Sequence, residues 1–537
     1  MTVKRLEMLV ASQAQRTPDK AAIVCDDAVV TYAQLESQSN RLASALEEMG
    51  MVEGDRACLL LPKSVDAVIC MLATLKVGGV YVPLDLDSPA ARSQKIIDAC
   101  EPTLIFASAE SVKVLSELRS DQAAQPRVFA VSSEPAEPGA FTHAGSFKDL
   151  VNYASERSTR DMSVDGPAHI LFTSGSTGVP KGVIITHRNV SSFLSWLVEY
   201  FGYSADDRMS GHPPLHFDLS TMDIFGTLSV GATLYPVPAR MNLLAPALAS
   251  WIEESELTQW FSVPSILNYM AKFDALRDKE LPNLKRLIWC GEVLPTPTLR
   301  YWMQRLPHVE FTNLYGPTEA TIASSYYTLP ACPASDQDDV PIGTPCDGEQ
   351  LLVLDERFRI AKEGEIGDLY ISGVGLSPGY WRDEEKTNAA FLHNDALGVP
   401  GDRIYKTGDL GWFDAEGLFH YSGRADSQVK SRGYRIELGE IESALHSLKY
   451  LGELAVVGVE AEGFEGTTIC CAYTSNELPP NSHALVRQDL MQIVPNYMLP
   501  SKWERLEVLP KNVNGKIDRP RLRQIFIDNA NREDDRR

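Results

Sequence analysis

Thr173-Ser174-Gly175-Ser176-Thr177-Gly178-Val179-Pro180-Lys181-Gly182 is a loop rich in hydroxyl groups and glycine, and it directly follows the apolar run His169-Ile170-Leu171-Phe172. Small residues allow backbone N–H groups to approach a polyphosphate, hydroxyls add donors, and a lysine offsets the charge of the phosphate oxygens. The stretch therefore predicts a phosphate-binding loop at the end of a strand. The alternative is an ordinary surface loop, because turn residues also cluster there.

Two common nucleotide-binding motifs do not fit this loop. A Walker A motif needs a hydroxyl residue next to its lysine to reach magnesium, whereas Lys181 lies between Pro180 and Gly182. No Gly-x-Gly-x-x-Gly opens a helix after a strand with an acidic residue about twenty positions later, so a dinucleotide fold has weak support. A different nucleotide chemistry is indicated.

The hydrophobic pattern places the loop in an α/β fold. Strand-like apolar runs at 21–25, 56–61, 104–107 and 127–131 alternate with helix-like stretches at 32–49 and 65–75. This alternation predicts an α/β architecture of mainly parallel sheets flanked by helices. The segment 132–167, rich in Ser, Glu, Pro and Gly, is predicted to be a surface loop with one short helix.

Composition excludes several classes of function. The chain has 537 residues and a formal net charge of −22, which argues against binding to nucleic acid or to an anionic membrane surface. The nine cysteines form no Cys-x-x-Cys pair, and the adjacent Cys470 and Cys471 would point to opposite faces of a strand. Neither a structural zinc site nor a disulfide framework is predicted.

No targeting or membrane segment is predicted either. Glu7 lies where a signal peptide needs its apolar core, and the most apolar region, 58–84, is interrupted by Lys63, Asp66 and Lys76. We therefore expect a cytoplasmic enzyme.

Further motifs follow the loop in a fixed order, and together they resemble the adenylate-forming superfamily of acyl-CoA synthetases, luciferases and nonribosomal peptide synthetase adenylation domains. The resemblance covers nearly the whole chain. The motifs are Thr31–Leu35, Leu75–Asp85, Phe217–Ser220, Asn313–Glu319, Tyr405–Leu410, Gly423–Lys430, Val494–Pro500 and Asn514–Arg519. The first two resemble structural signatures of amino-acid adenylation domains.

The resemblance implies two domains and two half-reactions. It implies a large N-terminal domain, 1–425, and a small mobile α+β lid domain, 426–537, which rotates about a hinge at Asp426. In the first half-reaction a carboxylate attacks the α-phosphate of ATP, and Lys516 and Lys181 offset the charge of the reacting anions. In the second, a pantetheine thiol reaches the adenylate through a tunnel lined by Gly433. Taken alone, Lys516 would be a solvated lysine in a turn and Asp426 a turn residue.

The resemblance also implies the nucleotide contacts. Tyr315 would stack on adenine, Asn313 would bind its exocyclic amine, Asp409 would accept both ribose hydroxyls, and Glu319 would hold Mg²⁺ beside the phosphates. The full set of implied ATP contacts is Thr173, Ser174, Gly175, Ser176, Thr177, Gly178, Lys181, Gly291, Asn313, Tyr315, Thr318, Asp409, Tyr421, Arg424 and Lys516.

Asp218 indicates the class of the substrate. In amino-acid adenylation domains the matching aspartate pairs with the substrate's ammonium group, whereas fatty and aryl acids offer no cation. A carboxylate in an apolar pocket is costly without such a partner. The resemblance therefore implies an amino acid, and the alternative role for Asp218 is an N-cap for the helix that follows.

The implied specificity pocket is almost entirely apolar. Its residues are Asp218, Leu219, Met222, Phe261, Ile288, Cys290, Leu314, Ile322, Ala323 and Lys516. A charged or amide side chain would find no partner between Asp218 and Lys516. L-proline is the leading substrate hypothesis because the set resembles proline-activating pockets. Valine, 2-aminobutyrate, pipecolate and β-amino acids stay open, since one methylene changes binding by only ~1–3 kcal/mol.

The chain ends 21 residues after Lys516, which leads us to expect a free-standing enzyme that loads a separate holo peptidyl carrier protein. An acyl-CoA ligase for a simple carboxylic acid is one alternative, and Asp218 argues against it. A noncatalytic protein that retains the fold is another, and the presence of Lys516, Glu319 and Asp409 argues against that.

Overall fold

The computed structural model describes residues 3–26, 28–119, 126–131, 141–157, 160–175, 178–393, 403–426, 428–431, 433–460, 467–475, 478–479, 482–512 and 516–534. The chain forms two compact units. The first contains Met1–Leu86, Ile97–Phe172 and Gly182–Ala425, and the second contains Asp87–Ile96, Thr173–Lys181 and Asp426–Arg537. The predicted domains, 1–425 and 426–537, place both short segments in the larger domain.

A seven-stranded sheet lies in the N-terminal part of the chain. In spatial order its strands are Thr142–Ser146, Arg127–Ala130, Leu104–Ala107, Arg56–Leu60, Val80–Pro83, Pro167–Thr173 and Lys181–Thr186. The first six pair in parallel. The carboxyl end of Pro167–Thr173 leads directly into the predicted phosphate loop. Strand Thr142–Ser146 falls in the segment predicted as loop, so that part of the prediction is wrong.

A nine-stranded sheet carries most of the other motifs. Its order is Thr344–Pro345, Ser325–Thr328, Glu310–Tyr315, Arg286–Cys290, Gln259–Ser262, Arg208–Gly211, Thr233–Pro236, Ala21–Cys25 and Ala28–Thr31. The six strands from Glu310–Tyr315 to Ala21–Cys25 pair in parallel, and the edge strands pair antiparallel. The predicted α/β architecture of mainly parallel sheets is confirmed.

An antiparallel sheet completes the first unit. It consists of Glu349–Leu354, Gly367–Gly373, Arg403–Phe413, Phe391–His393 and Phe419–Arg424. The long strand Arg403–Phe413 pairs with three of the others, and Asp409 lies directly opposite Arg424.

Local sequence signals set the ends of the main helices. Thr31 forms a capping box with Gln34 at the start of Tyr32–Glu48, and Thr186 forms one with Asn189 at the start of His187–Phe201. The other helices are Leu6–Arg16, Val65–Lys76, Ala90–Cys100, Val112–Glu117, Leu219–Thr221, Thr227–Ser229, Ala245–Glu254, Pro264–Lys272, Thr296–Arg305 and Glu384–Ala390. A π-helical turn, Met222–Gly226, follows Leu219–Thr221 directly. Short 3₁₀ turns are Ala109–Ser111, Phe147–Asn152, Ala239–Leu243 and Thr318–Ala320.

The second unit contains two small sheets. Gln428–Ser431 pairs with Tyr434–Glu437, while Leu454–Glu460, Thr467–Tyr473 and Lys502–Arg505 form a three-stranded sheet. Helices Leu438–His446, His483–Leu490 and Arg519–Asp534 and the 3₁₀ turn Asn496–Met498 accompany them. Cys471 packs in one apolar cluster and Cys470 in another, which confirms that they point to opposite faces of their strand.

All nine cysteines are free thiols. Within the described ranges, no helix is both long and apolar enough to cross a bilayer.

Candidate functional site

A buried carboxylate, Asp409, lies at the centre of the predicted nucleoside site. Its Oδ2 accepts a hydrogen bond of 2.6 Å from the Tyr315 hydroxyl, and its Oδ1 accepts one of 2.8 Å from the Arg424 guanidinium. The backbone N–H of Asp409 donates to Thr407 Oγ1 at 3.0 Å. Asp409 is only 3% exposed, so these charge-assisted bonds hold the carboxylate in a fixed orientation.

Tyr315 stays protonated in this arrangement. Burial raises the pKa of its hydroxyl well above the usual value, and the negative charge of Asp409 raises it further. A protonated phenol donates to Asp409, and its ring packs in the apolar cluster that Tyr421 also contacts. The structure thus places three predicted nucleoside contacts, Tyr315, Asp409 and Arg424, in one hydrogen-bonded group.

Asn313 and Gly291 lie on neighbouring parts of the nine-stranded sheet. Asn313 Nδ2 donates to the Pro341 carbonyl at 2.9 Å, which orients its Oδ1 as the acceptor for an amino group. Gly291 follows the strand that ends at Cys290 and has φ +99°, and the described residues leave open space within 4 Å of where a Cβ would lie. This geometry suits the close approach of a flat ring edge to the backbone.

Glu319 is the predicted magnesium ligand. It is fully buried in the short turn Thr318–Ala320, and its Oε1 accepts a hydrogen bond of 2.8 Å from the Tyr380 hydroxyl. Its backbone carbonyl accepts from the Ser377 N–H at 2.9 Å. Sequence reasoning missed Tyr380, although an aromatic residue after Gly379 near the end of a glycine-rich loop was a usable signal.

The donor set fits a magnesium ion that is shared with a substrate. Among the residues that the structure describes, no group of three or more His, Cys, Asp or Glu side chains could hold a metal by itself. Mg²⁺ typically takes only one or two protein carboxylates and completes its shell with phosphate oxygens and water. Glu319 offers one such carboxylate, and Thr318 is half-buried beside it.

The phosphate loop belongs to the second unit. Ser174 Oγ donates to the Arg435 carbonyl at 2.9 Å, and Lys95 Nζ donates to the Gly178 carbonyl at 2.9 Å. A Cβ on Gly175 would lie 2.1 Å from the Val179 carbonyl oxygen, so only glycine fits there. Lys181 begins the strand that follows the loop. The predicted contacts Ser176 and Thr177 lie outside the described residues.

Thr173 ends the strand before this loop. Its hydroxyl is buried and has no hydrogen-bond partner among the described residues. A buried hydroxyl without a partner is costly, and a phosphate oxygen would satisfy it.

The predicted specificity residues come together in one apolar cluster of the first unit. Eight of them share this cluster and are at most 4% exposed: Leu219, Met222, Phe261, Ile288, Cys290, Leu314, Ile322 and Ala323. Phe261 pairs with Ile288 across neighbouring strands, and Cys290 pairs with Leu314. The side chains of this cluster are apolar and offer no partner to a charged substrate side chain.

Asp218 directly precedes this apolar set. It is half-buried at the start of the helix Leu219–Thr221 and makes no capping hydrogen bond to that helix. The N-cap alternative from the sequence therefore has no support in the geometry.

The backbone is strained at the wall of the same cluster. Thr321 and Ile322 have φ of 57° and 72°, a region that a β-branched residue such as Ile322 rarely adopts. The Cys290 thiol lies 3.8 Å from the Ile322 carbonyl, and Thr321 Oγ1 donates to the Gly375 carbonyl at 2.6 Å. Strain of this kind concentrates where a fixed backbone serves a ligand.

The remaining predicted residues lie in the second unit. Asp426 is exposed, and its Oδ1 accepts from the Gln428 N–H at 3.0 Å. Gly433 has φ +81° in the turn between two paired strands. Lys516 is exposed and is paired through its backbone, because its N–H donates to Asn512 Oδ1 at 3.1 Å and its carbonyl accepts from the Asn512 N–H at 2.8 Å.

Comparison with known families agrees with both parts of the chain. The AMP-binding enzyme family matches residues 10–381, and the AMP-binding enzyme C-terminal domain matches residues 440–516.

The curated relatives fall into two kinds. Tyrocidine synthase 1 of Brevibacillus parabrevis is 31% identical over 97% of this chain, which spans only 45% of that synthase. The chain likewise spans 21% of a dimodular nonribosomal peptide synthase of Bacillus subtilis. By contrast, D-alanine–D-alanyl carrier protein ligase of Bacillus cytotoxicus is 32% identical, with 95% of this chain and 97% of that ligase covered.

Solved structures share the fold. The Vibrio cholerae adenylation domain AlmE, in complex with glycyl-adenosine-5'-phosphate, is 26% identical, with 98% of each chain covered and a TM-score of 0.84. The amide bond synthetase McbA of Marinactinospora thermotolerans is 22% identical, with 97% and 100% covered and a TM-score of 0.85, which shows the fold alone. Because a family match covers most of its length and a relative matches it nearly end to end, this chain belongs to the AMP-binding enzymes, the family of adenylate-forming ligases.

Proposed function

We propose that the chain activates a small amino acid with an uncharged side chain, using ATP, and passes it to the phosphopantetheine thiol of a carrier protein. The observation that carries the proposal is Asp218, a half-buried carboxylate at the start of the helix that contributes Leu219 to the apolar cluster. A carboxylate beside an otherwise apolar pocket suits a ligand with one cationic group and an apolar remainder.

The first step joins the substrate carboxylate to AMP. A carboxylate oxygen attacks the α-phosphorus of ATP, and the bond from that phosphorus to the bridging oxygen of pyrophosphate breaks. Tyr315, Asp409 and Arg424 hold the nucleoside, and the 173–181 loop with Lys181 holds the phosphates. Mg²⁺ bound at Glu319 would neutralise phosphate charge, and Lys516 would stabilise the charge that shifts during transfer.

The second step transfers the acyl group. The thiol sulfur attacks the carbonyl carbon of the adenylate, AMP leaves, and the thiol proton is lost to solvent. We propose that the C-terminal domain rotates about a hinge at Asp426 between the two steps. This rotation removes Lys516 and presents a pantetheine tunnel lined by Gly433. Both Asp426 and Gly433 lie at turns of the second unit, where a backbone change is least costly.

Alanine-sized amino acids are the first substrate candidates. The support is the full-length match to ligases named for D-alanine and the likeness to a domain that holds a glycyl adenylate. The relatives and solved structures described above are not named for proline, and L-proline stays a prediction within the small apolar class. A coenzyme A ligase for a simple acid is the second candidate function, and Asp218 disfavours it.

The test is ATP–pyrophosphate exchange by the purified chain against glycine, both alanine enantiomers, proline, valine, 2-aminobutyrate, pipecolate, β-alanine and simple acids. We expect exchange with one or a few small amino acids, followed by loading of a holo carrier domain. Exchange with simple acids and acyl-CoA formation would replace the proposal with the second candidate.

A further inference from the structure

The segment that carries Asp218 is a loop between two elements. It leaves the strand Arg208–Gly211 and returns as the helix that begins at Leu219. Pro213 and Pro214 have no N–H to donate. Ser220 Oγ donates to the Phe217 carbonyl at 2.7 Å, and Phe217 N–H donates to the Pro214 carbonyl at 3.0 Å. These bonds shape the tip of the loop.

Two buried ionisable side chains hold the start of this loop, and one of them, Asp223, lies on its return. Lys63, which follows the strand Arg56–Leu60, donates from Nζ to the carbonyls of Gly211 and His212, the latter at 2.6 Å. Asp223, which is 4% exposed, accepts the His212 N–H on Oδ2 at 3.0 Å. The first residue of the loop is therefore held through both its N–H and its carbonyl.

The His212 side chain fixes the same point a second time. Its ring lies 5.1 Å from that of Trp260, its Nε2 is 3.0 Å from Asn242 Oδ1, and its Nδ1 is 3.3 Å from Ser262 Oγ. Burial, with Lys63 nearby, lowers the pKa of His212 to about 3, so the ring is neutral. The cation at this point is Lys63, and burial lowers its pKa to about 8 while Asp223 opposes that change.

Asp223 also lies beside the specificity residues. It directly follows Met222 in the π-helical turn Met222–Gly226, and its carbonyl accepts from the Thr227 hydroxyl. A π turn inserts a residue into a helix and changes the direction of the side chains on either side. Lys63 thus holds the start of the stretch 212–222, which contains Asp218, Leu219 and Met222, and Asp223 joins that start to the stretch's end.

We propose that Lys63 and Asp223 are positioning residues that hold Asp218 and Met222 in place for the amino-acid substrate. This inference rests on the proposed function, because it takes Asp218 to bind the substrate's ammonium group. Neither residue touches the substrate. Their loss should weaken amino-acid binding selectively, because a small misplacement of a binding group is costly while the nucleoside group at Asp409 stays intact.

The test compares the full-length variants Lys63→Met and Asp223→Asn with the wild type in ATP–pyrophosphate exchange. We expect the KM for the best amino acid to rise about tenfold or more in both variants, with the KM for ATP changed less than twofold. The rise in KM in the double variant should be smaller than the two single effects combined, because each single change leaves the other buried ionisable group without its partner. Asp223→Asn keeps an oxygen acceptor for His212, so it remains measurable if Lys63→Met fails to fold.

Lys76→Met is the matched control. Lys76 is also a buried lysine of the first unit, 8% exposed, and it bonds to Ser39 and Asn40 away from this loop. It should lower the thermal stability without changing the KM for the amino acid. An equal rise in KM in the control, or an unchanged KM in both test variants, would overturn the positioning role.

A second readout separates this inference from the proposed function. Hydrogen–deuterium exchange of peptides that cover 212–222 should be faster in Lys63→Met and Asp223→Asn but not in Lys76→Met. If the wild type activates no amino acid, the proposed function fails. The hydrogen–deuterium exchange of these peptides then decides by itself whether Lys63 and Asp223 hold the loop. Equal hydrogen–deuterium exchange of these peptides in the wild type and in the three single variants would refute the positioning role.

Discussion

At the scale of single residues, the geometry is clearest at Asp409. Both of its carboxylate oxygens are engaged, one by the Tyr315 hydroxyl and one by the Arg424 guanidinium, in a side chain that is almost fully buried. A buried carboxylate is tolerated only when it is paired and hydrogen-bonded. Because the same two partners also fix the orientation of the Asp409 carboxylate, we propose that it presents a rigid acceptor to the ribose hydroxyls.

Asp409→Asn tests that role. The change removes the charge that Arg424 faces, and it replaces one acceptor oxygen with a donor that cannot serve the ribose. We expect the KM for ATP to rise about tenfold or more and the free energy of unfolding to fall by about 1.5–3 kcal/mol, measured by exchange kinetics and urea denaturation.

Asp414→Asn on the same hairpin is the control. Asp414 accepts from the Leu418 N–H and from His420, away from the Tyr315 and Arg424 group. Its KM for ATP should match the wild type. A similar rise in both variants would assign the effect to the hairpin as a whole.

At the scale of elements, the strand Glu310–Tyr315 and the turn after it carry three of the predicted specificity residues, Leu314, Ile322 and Ala323. Gly316 allows the chain to fold back, because a Cβ there would lie 2.6 Å from the Ala323 Cα. The returning segment contains Thr321 and Ile322 at positive φ. That these residues line a substrate pocket stays a prediction from the resemblance, whereas their backbone strain could not be predicted, because it depends on tertiary contacts that no local pattern contains.

Gly316→Ala should therefore displace the wall. We expect a loss of about 1–3 kcal/mol in unfolding free energy from overpacking and a larger proportional loss in amino-acid-dependent exchange. In Gly166→Ala the new Cβ would lie 3.5 Å from the Ser163 carbonyl, an ordinary contact, so this control should behave as the wild type. Full activity of Gly316→Ala would show that the turn can relax without cost.

Glu349, the first residue of the strand Glu349–Leu354, should make the stability of the fold depend on pH. Glu349 Oε1 accepts from the Gly375 N–H at 2.6 Å, its Oε2 is buried with no partner among the described residues, and burial raises its pKa to about 8. Between pH 4.5 and 8 the folded state holds a proton here that the unfolded state has lost. This group's contribution to stability therefore falls as the pH rises through that window.

Glu349→Gln removes this titration while keeping the shape of the side chain. Relative to the wild type, the variant should gain about 1–3 kcal/mol between pH 5 and pH 8, seen as a difference in melting temperature that grows with pH. A constant difference across that range would mean that Glu349 does not titrate in the folded state with a raised pKa.

The sequence predicted regular elements well where the apolar pattern was strong. The helix predicted at 32–49 is Tyr32–Glu48, and the strand predicted at 127–131 is Arg127–Ala130. It missed Thr142–Ser146, because Thr-His-Ala-Gly-Ser has no alternation of apolar residues and pairs only at the edge of a sheet. This segment is a strand because it pairs with its neighbour Arg127–Ala130.

At the scale of the whole molecule, the chain forms two compact units. The sequence predicted only in part which segments belong to each unit. Segments 87–96 and 173–181 group with 426–537. This grouping depends on long-range contacts such as that of Ser174 Oγ with the Arg435 carbonyl. Motif order along the chain predicted the family, whereas it could not predict which segments pack together.

Lys516→Ala tests the division of labour between the two half-reactions. We expect adenylate formation to slow about 10²-fold or more, because the change removes a charge that we propose acts only in the transition state of the first step. Attack of pantetheine on supplied aminoacyl adenylate should persist. Lys511→Ala is the control that should leave both steps intact, because Lys511 lies opposite Ile517 in an antiparallel bridge and pairs with Glu453 at 2.6 Å. Equal damage to both steps in Lys516→Ala would contradict the assignment.

The most direct test of the central claim is a comparison of ATP–pyrophosphate exchange between amino acids and the same acids without the amine. The pairs are alanine with propionate and proline with cyclopentanecarboxylate, measured in the wild type and in Asp218→Ala. We predict strong exchange with at least one of the two amino acids, little with its partner acid, and loss of that preference in Asp218→Ala. Equal exchange with both members of each pair, or a preference that survives the substitution, would contradict the assignment of Asp218 and of an amino-acid substrate.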